Sequence, residues 1–435
     1  MRSIKIGSGA GFAGDRIDPA IHLMNSVDLD YICFECLAER TIALAQLEKL
    51  KDAKRGYNPL FEKRMREVIP LAHQKKIKVI TNMGAANPTE ALNVAVELCK
   101  KLGVKNLKLA AVEGDDVFIR IVNENSPEIE PLRDKLVSAN AYLGVEGILN
   151  ALQQGADIII TGRVADPSLF LAPLIYEFKW PMDDYTALGK GTMVGHLLEC
   201  AAQITGGYFA DGDQKQVPEL WNVGFPYAEV FENGDGYLAK APNSGGLLNK
   251  MTCTEQLLYE IEDPSAYITP DCVANFAGVE FEEIEKNQVS FKGASGKPPT
   301  PTYKTSLGFR NGFLGEAQIS YGGSNAMAQA QLAISILKRR FEGLQISDVN
   351  YELIGLNSIS PTTADTELNE IRLRVVAKTA SFETAKCIGQ EVEALYTNGP
   401  AAGGGVQKKV EELISIEACY IDKKNIVPIV KMISL

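Results

Sequence analysis

The chain has 435 residues, of which 46% are hydrophobic. That is enough for packed cores and, at ~100–200 residues each, for two or three domains. A formal net charge of −11 at pH 7 argues against a nucleic-acid or polyanion binder. No apolar run reaches the ~18 residues of a membrane helix, and Met1-Arg2-Ser3-Ile4-Lys5 lacks the apolar stretch of a secretory signal. A cytoplasmic protein with no membrane contact is therefore expected. The eight cysteines sit mostly inside apolar segments, which fits reduced, packed thiols better than a disulfide framework.

In chain order, residues 3–6 form a short strand that runs into the glycine-rich segment 7–14. Asp18-Pro19 opens a helix, with a capping side chain followed by proline at the first helical position. Strands follow at 31–34, 78–81, 108–112 and 158–161. Between them the apolar spacing predicts helices over 41–50, 60–75, 89–102 and 143–153. Strands alternating with helical periods predict a mostly parallel sheet flanked by helices. In open parallel sheets ligands lie outside the carboxyl ends of the strands. Gly9, Gly11, Glu35, Asn82, Asp115, Asp116 and Arg163 all fall at such ends.

Asp166-Pro167 starts an apolar helix, and a second helix carries His196, Glu199 and Cys200. From Asp211 the texture changes to short strand-like pieces among Gly, Pro and Asn. Asn243-Ser244-Gly245-Gly246 precedes a helix over 253–261 and could aim backbone N–H groups at an anion. Residues 293–301 read as a Gly/Pro surface loop, and 325–341 as a long helix with a basic end. Strand, strand, helix and strand over 348–356, 370–378, 382–396 and 411–420 predict a small α+β unit. The expected division is 1–345 and 346–435, with a subdivision near 210.

The strings IKIGSGAGFAGDR, FECLAERT, TNMGAANP, GDDV, ITGRVADPSLFLAPL, GHLLECAAQITGGYFAD and EALYTNGPAAGGGV resemble the acyclic terpene utilisation protein A family over nearly the whole chain. The resemblance implies a large α/β domain followed by a C-terminal ferredoxin-like domain. It also implies a part in the breakdown of acyclic terpenoids such as citronellol and geraniol, or of related branched acyl compounds. It brings no catalytic residue set, so site residues rest on side-chain chemistry.

Gly9-Ala10-Gly11-Phe12-Ala13-Gly14 after a strand matches the dinucleotide fingerprint, with Glu35 near the ribose-binding position. The helix signal at Asp18 comes too late for a pyrophosphate on its N-terminus. A loop that binds a carboxylate or phosphate, or that lets backbone approach closely, is expected instead. Cys33 and Cys36 straddle a strand end rather than a helix start, so packed thiols are expected over a redox pair, and no metal site is expected. His196, Glu199 and Cys200 share a helix face. The functional reading is acid/base work by His196 oriented by Glu199; the bland one is a satisfied buried histidine. Asp166 reads as a helix cap or a site residue, and Arg163 as a bidentate holder of a carboxylate or phosphate. Asp115 and Asp116 fit a turn, a base or a cation chelate. Glu35, Glu39 and Arg40 fit an ion-pair cluster as well as catalysis.

The expected function is cofactor-free acid/base chemistry on a small carboxylate or branched acyl-CoA, of hydratase, lyase or thioester hydrolase type. His196, Glu199, Glu35 and Asp115 would move protons. Gly9, Gly11, Asn82, Arg163, Asp166 and Ser244 would bind substrate. A non-catalytic metabolite-binding or assembly subunit is the alternative, and an NAD-dependent oxidoreductase the third reading. A homo-oligomer is expected.

Overall fold

The computed structural model describes residues 2–123, 130–344, 346–359, 368–424 and 426–435. Its elements in order are β1 (Ser3–Ala10), α1 (Asp18–Ser26), β2 (Tyr31–Phe34), α2 (Glu39–Lys51), α3 (Phe61–Lys75), β3 (Lys78–Thr81), α4 (Pro88–Leu102), β4 (Lys108–Glu113) and α5 (Phe118–Asn123). Then come β5 (Leu136–Ala141), α6 (Glu146–Gln153), β6 (Ile158–Thr161), α7 (Ser168–Phe178), α8 (Tyr185–Glu199), β7 (Pro226–Phe231), β8 (Gly236–Lys240) and α9 (Lys250–Leu258). The rest are β9 (Tyr267–Ile268), β10 (Val273–Asn275), β11 (Glu280–Glu285), β12 (Gln288–Lys292), β13 (Ser295–Lys297), β14 (Thr302–Gly322), α10 (Ala326–Arg340), β15 (Ile346–Ile354), β16 (Glu370–Thr379), α11 (Phe382–Asn398), β17 (Gly404–Asp422) and β18 (Ile429–Ser434).

The chain divides into two compact units, 1–133 with 137–308 and 416–435, and 134–136 with 309–415. The first holds a ten-stranded sheet in the order β11-β12-β8-β7-β1-β2-β3-β6-β4-β18. The strands expected from the sequence form its centre: β1, β2, β3, β6 and β4 pair in parallel. Their side chains explain why. Ile32, Val79, Ile158 and Ile160 are all buried, as central strands covered on both faces require. Helices α1, α3 and α4 pack Leu23, Met65, Val68, Leu92 and Ala95 into the same core. Pro88 opens α4, and left-handed Gly103 (φ 67°) closes it.

The expectation of a mostly parallel sheet needs correcting. The two flanks are antiparallel: β7 on β1, β8 on β7, β12 on β8, β11 on β12, and β18 on β4. Tight hairpins enforce this for β7–β8 and β11–β12, because a short turn can join only antiparallel neighbours. Gly234 (φ 80°) turns β7 into β8, and Asn287 (φ 60°) turns β11 into β12. The fold is thus a mixed α/β arrangement in which antiparallel pairs extend a parallel centre.

In the second unit the sheet order is β15-β16-β14-β17, with helices α10 and α11 between strands in the chain. Ala330, Ala333, Leu337, Ile388 and Val392 of those helices share a core with Ile319, Leu373 and Val375. The long stretch of this unit, 309–415, includes the part of β14 that pairs along Phe313–Gly322 with β16. Among the described residues no helix is long and apolar enough to cross a membrane.

Candidate functional site

The carboxyl ends of the parallel strands converge, and hydrogen bonds tie them together. After β2, the Glu35 Oε1 accepts from the Leu37 N–H at 2.8 Å and from the Asn82 amide at 2.9 Å. Asn82, the first residue after β3, also accepts from the Cys36 N–H at 2.7 Å. After β4, Asp115 accepts from the Arg163 N–H at 3.0 Å and from Asn140 at 2.8 Å. Arg163, beyond β6, sends its guanidinium to the carbonyls of Leu37 and Val164 and to the Asp166 carboxylate. Its face lies 4.5 Å from the centre of the Tyr142 ring.

That engagement sets what these groups are free to do. Arg163 is 1% exposed and already ties two loops together, so it forms the floor of the site. Burial, and then the nearby Asp166 charge, pushes the Glu35 carboxyl up to about 8, against the pull of Arg163 and its two donors. Burial raises Asp115 to about 6 against its own hydrogen bonds. Neither lines the cavity described next. The Asp166 side chain turns to Arg163 instead of capping α7.

The glycine segment is a packing device here. Gly9 lies within β1, where a Cβ would come 2.5 Å from the Phe34 ring, and one on Gly11 would come 2.5 Å from the Cys200 carbonyl carbon. The Gly11 N–H is taken by Asp15 at 2.8 Å. Ser244 donates to the Ala241 carbonyl, while its own carbonyl accepts from Lys240 at 2.6 Å. The nearby helix α9 is capped by its own Asn249–Thr252 box. None of these residues lines the cavity.

A cavity of about 620 Å³ opens above Arg163 within the first unit. Its wall includes Glu39, Arg40, Tyr142, Asp166, His196, Glu199, Glu260, Tyr267 and Lys304. Helix α8 delivers His196 and Glu199 because it packs tightly on the loop after β6. A Cβ on Gly195 would sit 2.6 Å from Pro167 backbone atoms, so only glycine allows that approach.

His196 is 2% exposed. Its Nδ1 lies 2.9 Å from Glu199 Oε1, and its Nε2 lies 3.2 Å from the Leu257 carbonyl. A carbonyl only accepts, so Nε2 carries a proton and donates it. In a neutral ring Nδ1 then accepts, which requires a proton on Glu199. Burial drives both groups to their neutral forms, holding His196 down to about 4 and Glu199 well above the ordinary carboxylate range. Tyr267 and Phe276 flank the ring at 5.2 and 5.8 Å between centres. Glu199 Oε2 is buried without a hydrogen-bond partner.

Charge on the cavity wall is mostly paired. Lys304 meets Glu39 at 2.7 Å, Tyr142 donates to the same carboxylate at 3.0 Å, and Arg163 meets Asp166. Arg40 makes no ion pair among the described residues and is exposed at the cavity wall. Tyr142, Glu260, Tyr267 and Lys304 carry no local motif. They reach the wall through strand and loop crossings such as the Leu143–Val164 bridge and the Tyr142 N–H bond to the Lys304 carbonyl. The cysteines are free, with Cys33 and Cys36 both buried and their thiols raised by burial.

A sequence model of the acyclic terpene utilisation family protein AtuA matches residues 4–432. A comparison with curated proteins gives no match. Among solved structures, one described as a PII-like signalling protein from Thermus thermophilus is 18% identical. It covers 27% of this chain and 97% of its own, with a TM-score of 0.13, too low to inform fold or function.

Proposed function

The chain belongs to the acyclic terpene utilisation family AtuA, and from that premise we propose that it is a lyase or hydratase acting by acid/base chemistry on a branched acyl compound carrying a carboxylate or thioester. Family membership points to a role in acyclic terpene utilisation. The observation that carries the finer reading is Glu199. One oxygen is bonded to His196, the other is buried and unpartnered, and the residue is one of those lining the cavity.

The pair holds one mobile proton. On Oε1 it leaves both groups neutral, as burial favours. Moved to Nδ1, it makes His196 an imidazolium and leaves Glu199 a carboxylate whose Oε2 can take a proton from substrate or from an attacking water. Return of that proton completes addition or elimination. Two titratable groups pushed apart by their surroundings are the usual basis of such chemistry. His196 thus acts through Glu199, the reverse of the roles expected from the sequence. Arg40 would hold the substrate's anionic group, since Arg163 is engaged in the floor. Burial raises the Cys200 thiol, which favours proton transfer over a thiolate nucleophile.

The test is turnover of a panel of branched and straight acyl-CoA thioesters, saturated and α,β-unsaturated. The wild-type protein should convert a branched member, and Glu199→Gln should lower that rate by ~10² or more. Wild-type-like turnover in Glu199→Gln would overturn the proposal. A non-catalytic metabolite-binding role is the second reading, favoured by the near saturation of Arg163. It predicts ligand-dependent thermal stabilisation with no product.

For the second unit, we read the chain order β14-α10-β15-β16-α11-β17 and the sheet order β15-β16-β14-β17 as a ferredoxin-like arrangement.

A further inference from the structure

In the second unit β17 ends the sheet, so one of its edges has no strand partner among the described residues. The part of β17 in this unit runs over 404–415. None of those residues is fully buried, although Val406, Val410, Leu413 and Ile414 are apolar. The Val406 N–H donates to the Tyr396 hydroxyl at 3.0 Å, so that amide points away from β14. Along an extended strand alternate backbone groups face the same way. The amides and carbonyls of Lys408, Val410, Glu412 and Ile414 therefore line the open edge. An edge of this length is a template for another strand unless something blocks it.

The sequence on that edge says which strand fits. Lys408-Lys409-Val410-Glu411-Glu412 reads in reverse as its own charge complement. We propose that β17 pairs antiparallel with β17 of a second copy of this chain, about a two-fold axis through Val410. Val410 then faces Val410 of the partner subunit, Lys408 faces the partner's Glu412, and Lys409 faces the partner's Glu411. These are apolar and opposite-charge pairs, the kinds that stabilise cross-strand contacts.

The register is selected by charge. Keeping the same backbone groups opposed but sliding the pair by one step sets Lys409 against Lys409, or Glu411 against Glu411, and like charges directly opposite are destabilising. Within one chain Lys408 already meets Glu393 at 2.6 Å, Lys409 meets Glu411 at 2.5 Å, and Glu412 meets Arg310 at 2.5 Å. Pairing turns these contacts into shared networks without removing either partner. The contact is isologous and closes, so it makes a dimer and not a filament.

Sedimentation equilibrium of the full chain tests this. The wild-type protein should show twice the single-chain mass of 47.3 kDa. Lys408→Glu with Lys409→Glu should reduce it to one chain, as should Glu411→Lys with Glu412→Lys. An equimolar mixture of the two double variants should restore the doubled mass. A variant with all four substitutions keeps the complementarity in reverse and should remain dimeric, which separates lost pairing from misfolding. A wild-type mass of one chain, dimers in both double variants, or no recovery on mixing would each overturn the proposal.

Discussion

Glu199 and His196 stand one helical turn apart on α8, with Oε1 and Nδ1 separated by 2.9 Å. Because Nε2 faces the Leu257 carbonyl at 3.2 Å, the histidine turns neither nitrogen to the cavity. In the proposed mechanism, any proton exchanged with a ligand passes through the carboxyl group. His196→Asn should therefore lower kcat with little change in KM. It should also move the acidic limb of the pH–rate profile upward, because an isolated buried Glu199 ionises only at higher pH. A histidine that merely packs would leave that limb where it is.

Arg40 is the cation of the cavity wall without an ion pair among the described residues. Arg40→Ala should raise KM for an anionic substrate while leaving kcat nearly unchanged, the signature of lost uniform binding. Added salt should weaken wild-type binding more than binding by the variant. Equal KM values in both would remove Arg40 from the site.

Glu35 links the cavity floor to stability. Burial raises its carboxyl from 4.5 to about 8 in the folded chain. The folded state then holds the proton more tightly than the unfolded chain does. The resulting stabilisation is complete below about 4.5 and is lost as pH rises through about 8. Thermal melts across that window should fall with pH more steeply for the wild-type protein than for Glu35→Gln. Glutamine can still accept the Leu37 and Asn82 hydrogen bonds, so parallel curves would contradict the assignment.

Gly11 answers a packing need. An added Cβ would come 2.5 Å from the Cys200 carbonyl carbon, against backbone that is slow to yield. Gly11→Ala should cost about 1–3 kcal/mol, as overpacked sites do, and should also disturb activity by displacing the end of α8 beside Glu199. Denaturant melts give the first effect and turnover gives the second. A variant as stable as the wild-type chain would show that the contact relaxes freely.

The parallel centre was legible in the sequence because its strands are short, apolar and punctuated. Ile158-Ile159-Ile160-Thr161 before Gly162-Arg163 needs no partner to be read as a buried strand. The outermost antiparallel strand was not, since β11 carries Glu280, Glu282, Glu283 and Glu285 on an exposed edge and lacks the apolar signal of a core strand. Local spacing placed His196 and Glu199 on one helix face, while the orientation of the imidazole depends on Leu257, some 60 residues away. Tyr142 and Lys304 were out of reach for the same reason. Their place beside Arg163 and Glu39 is created by tertiary pairing and leaves no periodic trace. The glycine segment shows the converse, a motif whose spacing suggests a ligand and whose contacts are Phe34 and Cys200.

Nitrogen-15 NMR of the imidazole rings tests the central claim most directly. Three histidines are present, and His196→Asn assigns the third signal set. At neutral pH His196 should be uncharged, with a proton on Nε2 and a bare Nδ1 accepting from Glu199. An imidazolium, or a neutral ring protonated at Nδ1, would contradict the account, because the resting proton would then not be on Glu199.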